Sequence, residues 1–139
     1  MGTTITKYDH LLKLLCNGGS WEGNTVKLAL VSSSYTFSAA HTVWADANAN
    51  ELSSGDGYTT GGMTLTNKTS SNTKLDADDV IFANLTKNFR GGILYFSGTI
   101  DTLSNPLIAY LLFNDAPADT PVNGTDFSVI WNSNGIMTL

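Results

Sequence analysis

Between Thr6 and Val31 the spacing of apolar residues changes period, and this change limits what the rest of the chain can build. Tyr8, Leu11, Leu12 and Leu15 recur at i, i+3, i+4 and i+7, one face of a helix, and predict a short helix over residues 6–16. Thr6 with Asp9 three positions on fits an N-terminal capping pattern, and Asn17-Gly18-Gly19 supplies a left-handed stop. A helix of about eleven residues is marginal alone, so its apolar face is expected to cover something else. From Asn24 the period is two, with Val26, Leu28 and Leu30 on one face and Ser32-Ser33-Ser34 closing the run. Further strands are expected at Met63–Leu65, Val80–Phe82, Ile93–Phe96, Leu107–Phe113, Phe127–Trp131 and Ile136–Leu139, bounded by Asn, Asp, Gly or Pro. Ser133-Asn134-Gly135 reads as the tight turn into the last one. Six or seven strands at this spacing predict an all-β chain, an antiparallel β-sandwich, jelly-roll-like, with one short N-terminal helix. The stretches 39–62 and 65–79 are expected to carry the longer connections.

The composition agrees with that pattern. Thr (18), Ser (13), Asn (13) and Gly (13) dominate, while Gln is absent and Glu occurs twice, so the residues that fill exposed helix faces are scarce. A chain of 139 residues holds one core more comfortably than two, which predicts a single domain over 1–139, with strands from about residue 24. A hydrophobic share of 42% is enough for that core and argues against intrinsic disorder. The net charge is -5 and the basic residues, six Lys and Arg90, are scattered. Nucleic-acid binding needs a clustered basic footprint, so no direct nucleic-acid partner is expected. No apolar run approaches the roughly 18 to 20 residues that span a bilayer, and Met1-Gly-Thr-Thr-Ile-Thr lacks a charged segment followed by an apolar one. The expectation is a soluble chain made in the cytoplasm, with no membrane partner. Cys16 is the only cysteine, so stability must come from packing rather than from an intrachain disulfide or a cysteine zinc site.

Leu107–Phe113 is apolar on both faces, whereas a sheet with one wet face alternates. Either the helix or a long loop covers its outer side, or Ile108, Tyr110 and Leu112 form a seam between subunits. Trp21, Tyr35, Phe37, Trp44 and Tyr58 sit in or beside loop segments. Such aromatics either plug the ends of a sandwich or anchor a partner or stack on sugars.

Chemistry finds little to use. Asp76, Asp78 and Asp79 suggest a hard-cation loop, but positions six and twelve from Asp76 hold Ile81 and Lys87 where an EF-hand needs Gly and Glu. The better reading is an acidic turn before a strand. His10 is expected on the solvent side of the helix, and His41 in a polar loop beside Trp44. No Gly-x-Ser-x-Gly elbow occurs. Glu22 and Glu51 with ten Asp could supply a glycosidase pair, yet a chain this short leaves little room for its cleft. Gly55-Asp-Gly57, Gly61-Gly62 and Gly91-Gly92 do not link a strand to a helix as phosphate loops do, and read as turns and bulges. Three Asn-x-Thr sequons, at Asn67, Asn84 and Asn123, carry no meaning without a secretory signal. The residues predict a binding protein, not an enzyme, with no cofactor and no metal.

Six blocks go further. Leu11-Leu-Lys-Leu-Leu-Cys-Asn-Gly18 with Trp21, Thr25-Val-Lys-Leu-Ala-Leu-Val-Ser-Ser-Ser-Tyr-Thr36, Asn50-Glu-Leu-Ser-Ser-Gly-Asp-Gly-Tyr-Thr-Thr-Gly-Gly62, Leu75-Asp-Ala-Asp-Asp-Val80, Asn105-Pro-Leu-Ile-Ala-Tyr110 and Ile130-Trp-Asn-Ser-Asn-Gly-Ile-Met-Thr-Leu139 together resemble a family of small virion structural proteins of tailed bacteriophages. The resemblance spans nearly the whole chain, in the family's order. It implies a capsid decoration, or cement, protein on the outer capsid surface of the virion, bound non-covalently to the major capsid protein. It also implies a homo-oligomer, a trimer before a dimer because capsid lattices present threefold positions. The family carries no catalytic motif to transfer. Two alternatives stand beside this reading: a tail, collar or fibre-base component of the virion, and a carbohydrate-binding module stacking sugars on Trp21, Trp44 or Tyr58.

Overall fold

The computed structural model describes residues 4–113 and 119–138. In chain order the elements are β1 (Thr4–Lys7), α1 (Leu11–Cys16), β2 (Val26–Val31), two 3-10 turns (Trp44–Asp46 and Asn48–Asn50), β3 (Met63–Thr64), β4 (Thr69–Ser71), β5 (Lys74–Asp76), β6 (Val80–Phe89), β7 (Gly91–Phe96), β8 (Thr99–Ile100), β9 (Leu103–Ser104), β10 (Leu107–Leu112), β11 (Thr120–Val129) and β12 (Met137–Thr138). The fold is all-β and its strand pairings are antiparallel. The largest sheet has the order β1-β10-β7-β2-β3, beside a β11-β6 ribbon, a β12-β5-β4 sheet and a β8-β9 hairpin.

The N-terminal helix is shorter than its apolar spacing predicts. Thr4 to Lys7 pair with Leu112 to Ala109 at the edge of the large sheet, a conformation that the β-branched Thr-Ile-Thr run favours. Thr6 therefore lies in β1 and caps nothing; α1 begins at Leu11 behind His10, with no side-chain cap. Its inward residues are Leu11 and Leu14, helped by Tyr8 before the helix, whereas Leu12 is 68% exposed. The stop is as expected: Gly18 has φ +106, and the Asn17 and Gly19 amides both donate to the Leu14 carbonyl, at 3.1 and 2.8 Å. His10 does not face solvent freely. Its Nε2 lies 2.8 Å from the Leu107 carbonyl, which can only accept, so Nε2 carries the proton and ties the helix start to β10.

Central strands β2, β7 and β10 are buried on both faces. On β7, Leu94 and Phe96 enter the inner cluster while Ile93 and Tyr95 enter the outer one. β10 follows the same alternation except that Ile108 and Ala109 both face inward, which the register shift between Leu107 and Ala109 explains. The inner cluster is completed by Val80, Phe82, Leu85 and Phe89 of β6, Val129 of β11, Leu75 of β5, Met137 of β12 and the helix leucines. The large sheet thus shares one core with the ribbon and the small sheet. The outer cluster is closed by Tyr8 and by Tyr35, Trp44 and Ala47 from the connection after β2. A long loop is therefore what covers Leu107–Phe113. The seam predicted at Ile108 and Tyr110 is corrected: both side chains are buried by the chain's own loop and by the core.

β6 continues past Phe82, and β11 begins seven residues before Phe127 but ends at Val129, so Ile130 and Trp131, expected in the strand, follow it. β6 and β11 are ten residues each, although only Val80–Phe82 and Phe127–Trp131 carried the expected signal. The extension is polar because one face of the ribbon is wet, and its inward period is broken where Asn84 takes φ +49. The stretch 65–79 contains the β4–β5 hairpin rather than a plain connection. At the other end, the Ser133-Asn134-Gly135 turn leads into β12 as expected, Gly135 having φ +102 and its amide donating to the Asn132 carbonyl at 2.9 Å; Leu139 lies outside the described residues.

Candidate functional site

The loop aromatics turn inward. Trp21 is buried and its indole N–H donates to the Asp76 carbonyl at 2.8 Å. Trp44 is buried and stacks on Tyr95, 4.8 Å between centroids and 1° from parallel. Tyr58 is buried; its hydroxyl donates to Glu51 Oε2 at 2.6 Å and accepts from the Leu30 amide at 3.2 Å. These three rings offer no exposed stacking face, because a small β core needs large side chains to close its ends.

Tyr35, Phe37, Tyr110 and Leu112 do come together. They line a shallow hollow of about 300 Å³ with Arg90, Thr4, Thr6, Ser33 and Thr36. Beneath it, Phe37 stacks on Tyr110 at 5.4 Å. The Tyr8 hydroxyl lies 2.8 Å from that of Tyr35, which lies 2.9 Å from His41 Nδ1. Among the described residues Tyr8 has no other partner for its proton, so the chain runs Tyr8 to Tyr35 to His41, and Nδ1 accepts. Asp46 pins the same segment: its Oδ2 accepts from the Thr42 and Val43 amides at 3.0 and 3.3 Å. Those backbone bonds, Thr42 first, hold its carboxyl below the usual range.

Acidic groups serve the backbone. Glu51 Oε2 also accepts from the Gly61 amide at 2.6 Å, and Glu22 Oε2 accepts from the amide and hydroxyl of Ser70. Asp78 Oδ2 receives Asn67 Nδ2 at 2.5 Å, Asp79 Oδ1 receives the Trp131 amide at 2.9 Å, and Asp76 Oδ1 receives the Ala77 amide at 2.9 Å. The acidic turn ties loops together.

A feature outside the sequence expectations is a cleft of about 410 Å³ where β1, β11 and the segment after β11 meet. Phe89, Phe113 and Phe127 pack edge to face in it, with centroids 4.7 to 6.0 Å apart. Ile5 and Ile136 stand among its walls, and among the described residues none that lines it is charged. The Thr120 hydroxyl, shut from solvent, has no hydrogen-bond partner among the described residues. Phe127–Trp131 reads in sequence only as a core strand; the one signal of a surface role is Ile130, an apolar residue out of phase with inward Val129 and Phe127, and 74% exposed. Among the described residues no helix is long and apolar enough to cross a membrane. Comparison with protein-family models, curated proteins and solved structures finds no match to this chain.

Proposed function

We propose that this chain is a structural, non-catalytic subunit of a tailed-bacteriophage virion, a decoration protein that binds the outside of the major capsid protein shell and stabilises it without covalent bonds. The observation that carries this reading is the set of six residue blocks from Leu11 to Leu139, in one order along nearly the whole chain. Two features of the fold support it. Glu22, Glu51, Asp46, Asp78 and Asp79 are used as acceptors for backbone and side-chain groups of the chain's own loops, which suits a rigid part better than an acid–base site. The net charge of -5 suits the shell exterior, since a protein facing packaged DNA would be repelled by phosphates.

Such a subunit acts by adding interface area across neighbouring capsid proteins. A standard specific contact buries about 1,200 to 2,000 Å², and oligomerisation multiplies weak contacts into avidity. The tail or collar position is the second reading and shares the same residue blocks. The carbohydrate reading loses its platform, because Trp21, Trp44 and Tyr58 are buried. The deciding experiment is a reconstruction of particles with and without this protein, paired with heat challenge. Density on the shell face, and loss of DNA at lower temperature from depleted particles, is the expected result. Label confined to the tail vertex, or equal heat stability, would sink the proposal.

A further inference from the structure

Three asparagines precede a glycine in this chain, in Asn17-Gly18, Asn123-Gly124 and Asn134-Gly135. Asparagine is a thermolabile residue, and it is most so before glycine, whose missing Cβ lets the next backbone nitrogen approach the side-chain Cγ. The reaction needs that nitrogen free of an acceptor and its peptide unit free to rotate. Local structure therefore decides which of the three reacts.

Two of them are held. The Gly124 amide donates to the Thr86 hydroxyl at 2.9 Å, and Asn123 is in register with Thr86 on the ribbon of β6 and β11. The Gly135 amide donates to the Asn132 carbonyl at 2.9 Å, the next amide, of Ile136, donates to the Leu75 carbonyl at 2.7 Å, and a Cβ on Gly135 would lie 3.0 Å from that same oxygen. Rotating either peptide disturbs bonds to another strand. Gly18 differs on each count. Among the described residues its amide donates to no acceptor, nothing beyond the adjoining residues comes within 4 Å of where its Cβ would stand, and both Asn17 and Gly18 are exposed. The bonds around it run from the Asn17 and Gly19 amides to the Leu14 carbonyl and from Asn17 Nδ2 to the Lys13 carbonyl at 2.7 Å, so all of them end on the six-residue α1 itself. Exposed hydrogen bonds at the end of an element open at low cost.

We propose that Asn17 is a self-modification site, converted to aspartate and isoaspartate through a cyclic imide with Gly18, while the fold protects Asn123 and Asn134. The Gly18 nitrogen bonds to Asn17 Cγ, the Cγ–Nδ2 bond breaks, and Nδ2 leaves as ammonia with the proton that the Gly18 amide gives up. Water then adds at either imide carbonyl. Opening at one leaves the ordinary backbone with Asp in place of Asn, and opening at the other routes the backbone through the side chain. Either product is a carboxylate, which cannot donate to the Lys13 carbonyl and which stands at the C-terminal end of α1, where negative charge is unfavourable. The modification therefore loosens the stop that Asn17 makes. None of this requires the virion reading.

Incubation of the full chain in mildly alkaline buffer, followed by peptide mapping with mass spectrometry, tests it, since each conversion replaces an amide by an acid and fragmentation separates isoaspartate from Asp. The rate at Asn17 is expected to exceed those at Asn123 and Asn134 by about tenfold or more in the folded chain, and the three rates to converge in denaturant. Thr86→Val keeps a β-branched residue at an exposed strand position and removes the acceptor of the Gly124 amide. It is expected to raise the rate at Asn123 severalfold and to leave Asn17 unchanged, with circular dichroism checking that the variant is folded. No conversion at Asn17, a rate at Asn123 or Asn134 that equals or exceeds it in the folded chain, or an Asn123 rate indifferent to Thr86→Val, would overturn it.

Discussion

Gly62 carries more constraint than its place in a loop suggests. Its φ is +86, and a Cβ there would lie 2.0 Å from the Leu28 carbonyl oxygen, which is backbone and cannot swing away. Gly62→Ala is therefore expected to cost about 3 kcal/mol or more, read as a fall in thermal midpoint. Thr102 is the converse case. The two-residue turn between β8 and β9 puts Asp101 at φ +49 and Thr102 at φ +65, a region that suits Gly and strains a β-branched residue. Thr102→Gly is expected to stabilise the chain by about 1 kcal/mol, and a lower midpoint would show the strain is compensated. Tyr58→Phe keeps the ring but strands the Leu30 amide and removes a donor from Glu51, at a cost of about 1 to 3 kcal/mol.

Among the elements, the connection from Ser32 to Glu51 matters most, because it turns a surface sheet into a buried one. Its Trp44 and Tyr35 close the outer cluster, and its bend is held by Asp46 on the Thr42 and Val43 amides. Since folding lowers the Asp46 pKa from 3.8, its contribution is fully present above that value and is lost as pH falls through the folded value. Asp46 is largely solvated, so the effect is modest. Local opening of this cover, followed by hydrogen exchange of the residue 42–47 amides, is expected to rise as pH drops below the carboxylate range. In Asp46→Ala exchange should already be fast at neutral pH, and a steep acid response persisting in that variant would refute the assignment.

At the scale of the whole molecule, burial is felt by all five tyrosines. Burial is the first cause raising Tyr8, Tyr35, Tyr58, Tyr95 and Tyr110 above the ordinary value of 10.0, with Tyr95 pushed up to about 12. The folded chain holds their protons more tightly than the unfolded chain. The stability this gives is complete below pH 10 and declines as pH rises toward the folded values. An absorbance titration near 295 nm is expected to show no ordinary exposed tyrosine, then one cooperative rise coincident with loss of far-UV signal. A gradual rise at ordinary tyrosine values with the fold intact would contradict the packing.

The period change near Asn24, the scarcity of helix-surface residues and the Asn-Gly stops were enough to specify an antiparallel all-β chain with a short helix near its start, because hydrophobic period and turn chemistry are local properties. The helix boundary was not legible: Thr6 fits a cap or an edge strand equally well, and only the row of backbone groups on β10 decides for the strand. The polar halves of β6 and β11 were silent for a related reason, since a wet-faced ribbon is held by its partner strand rather than by its own pattern. Whether Trp21, Trp44 and Tyr58 face out or in depends on which residues distant in sequence need covering, and Tyr95, Asp76 and Leu30 supply that answer. The cleft lay further beyond reach, because it exists only where Ile5, Thr120 and Ile136, separated along the chain, are brought to one strand edge by tertiary packing.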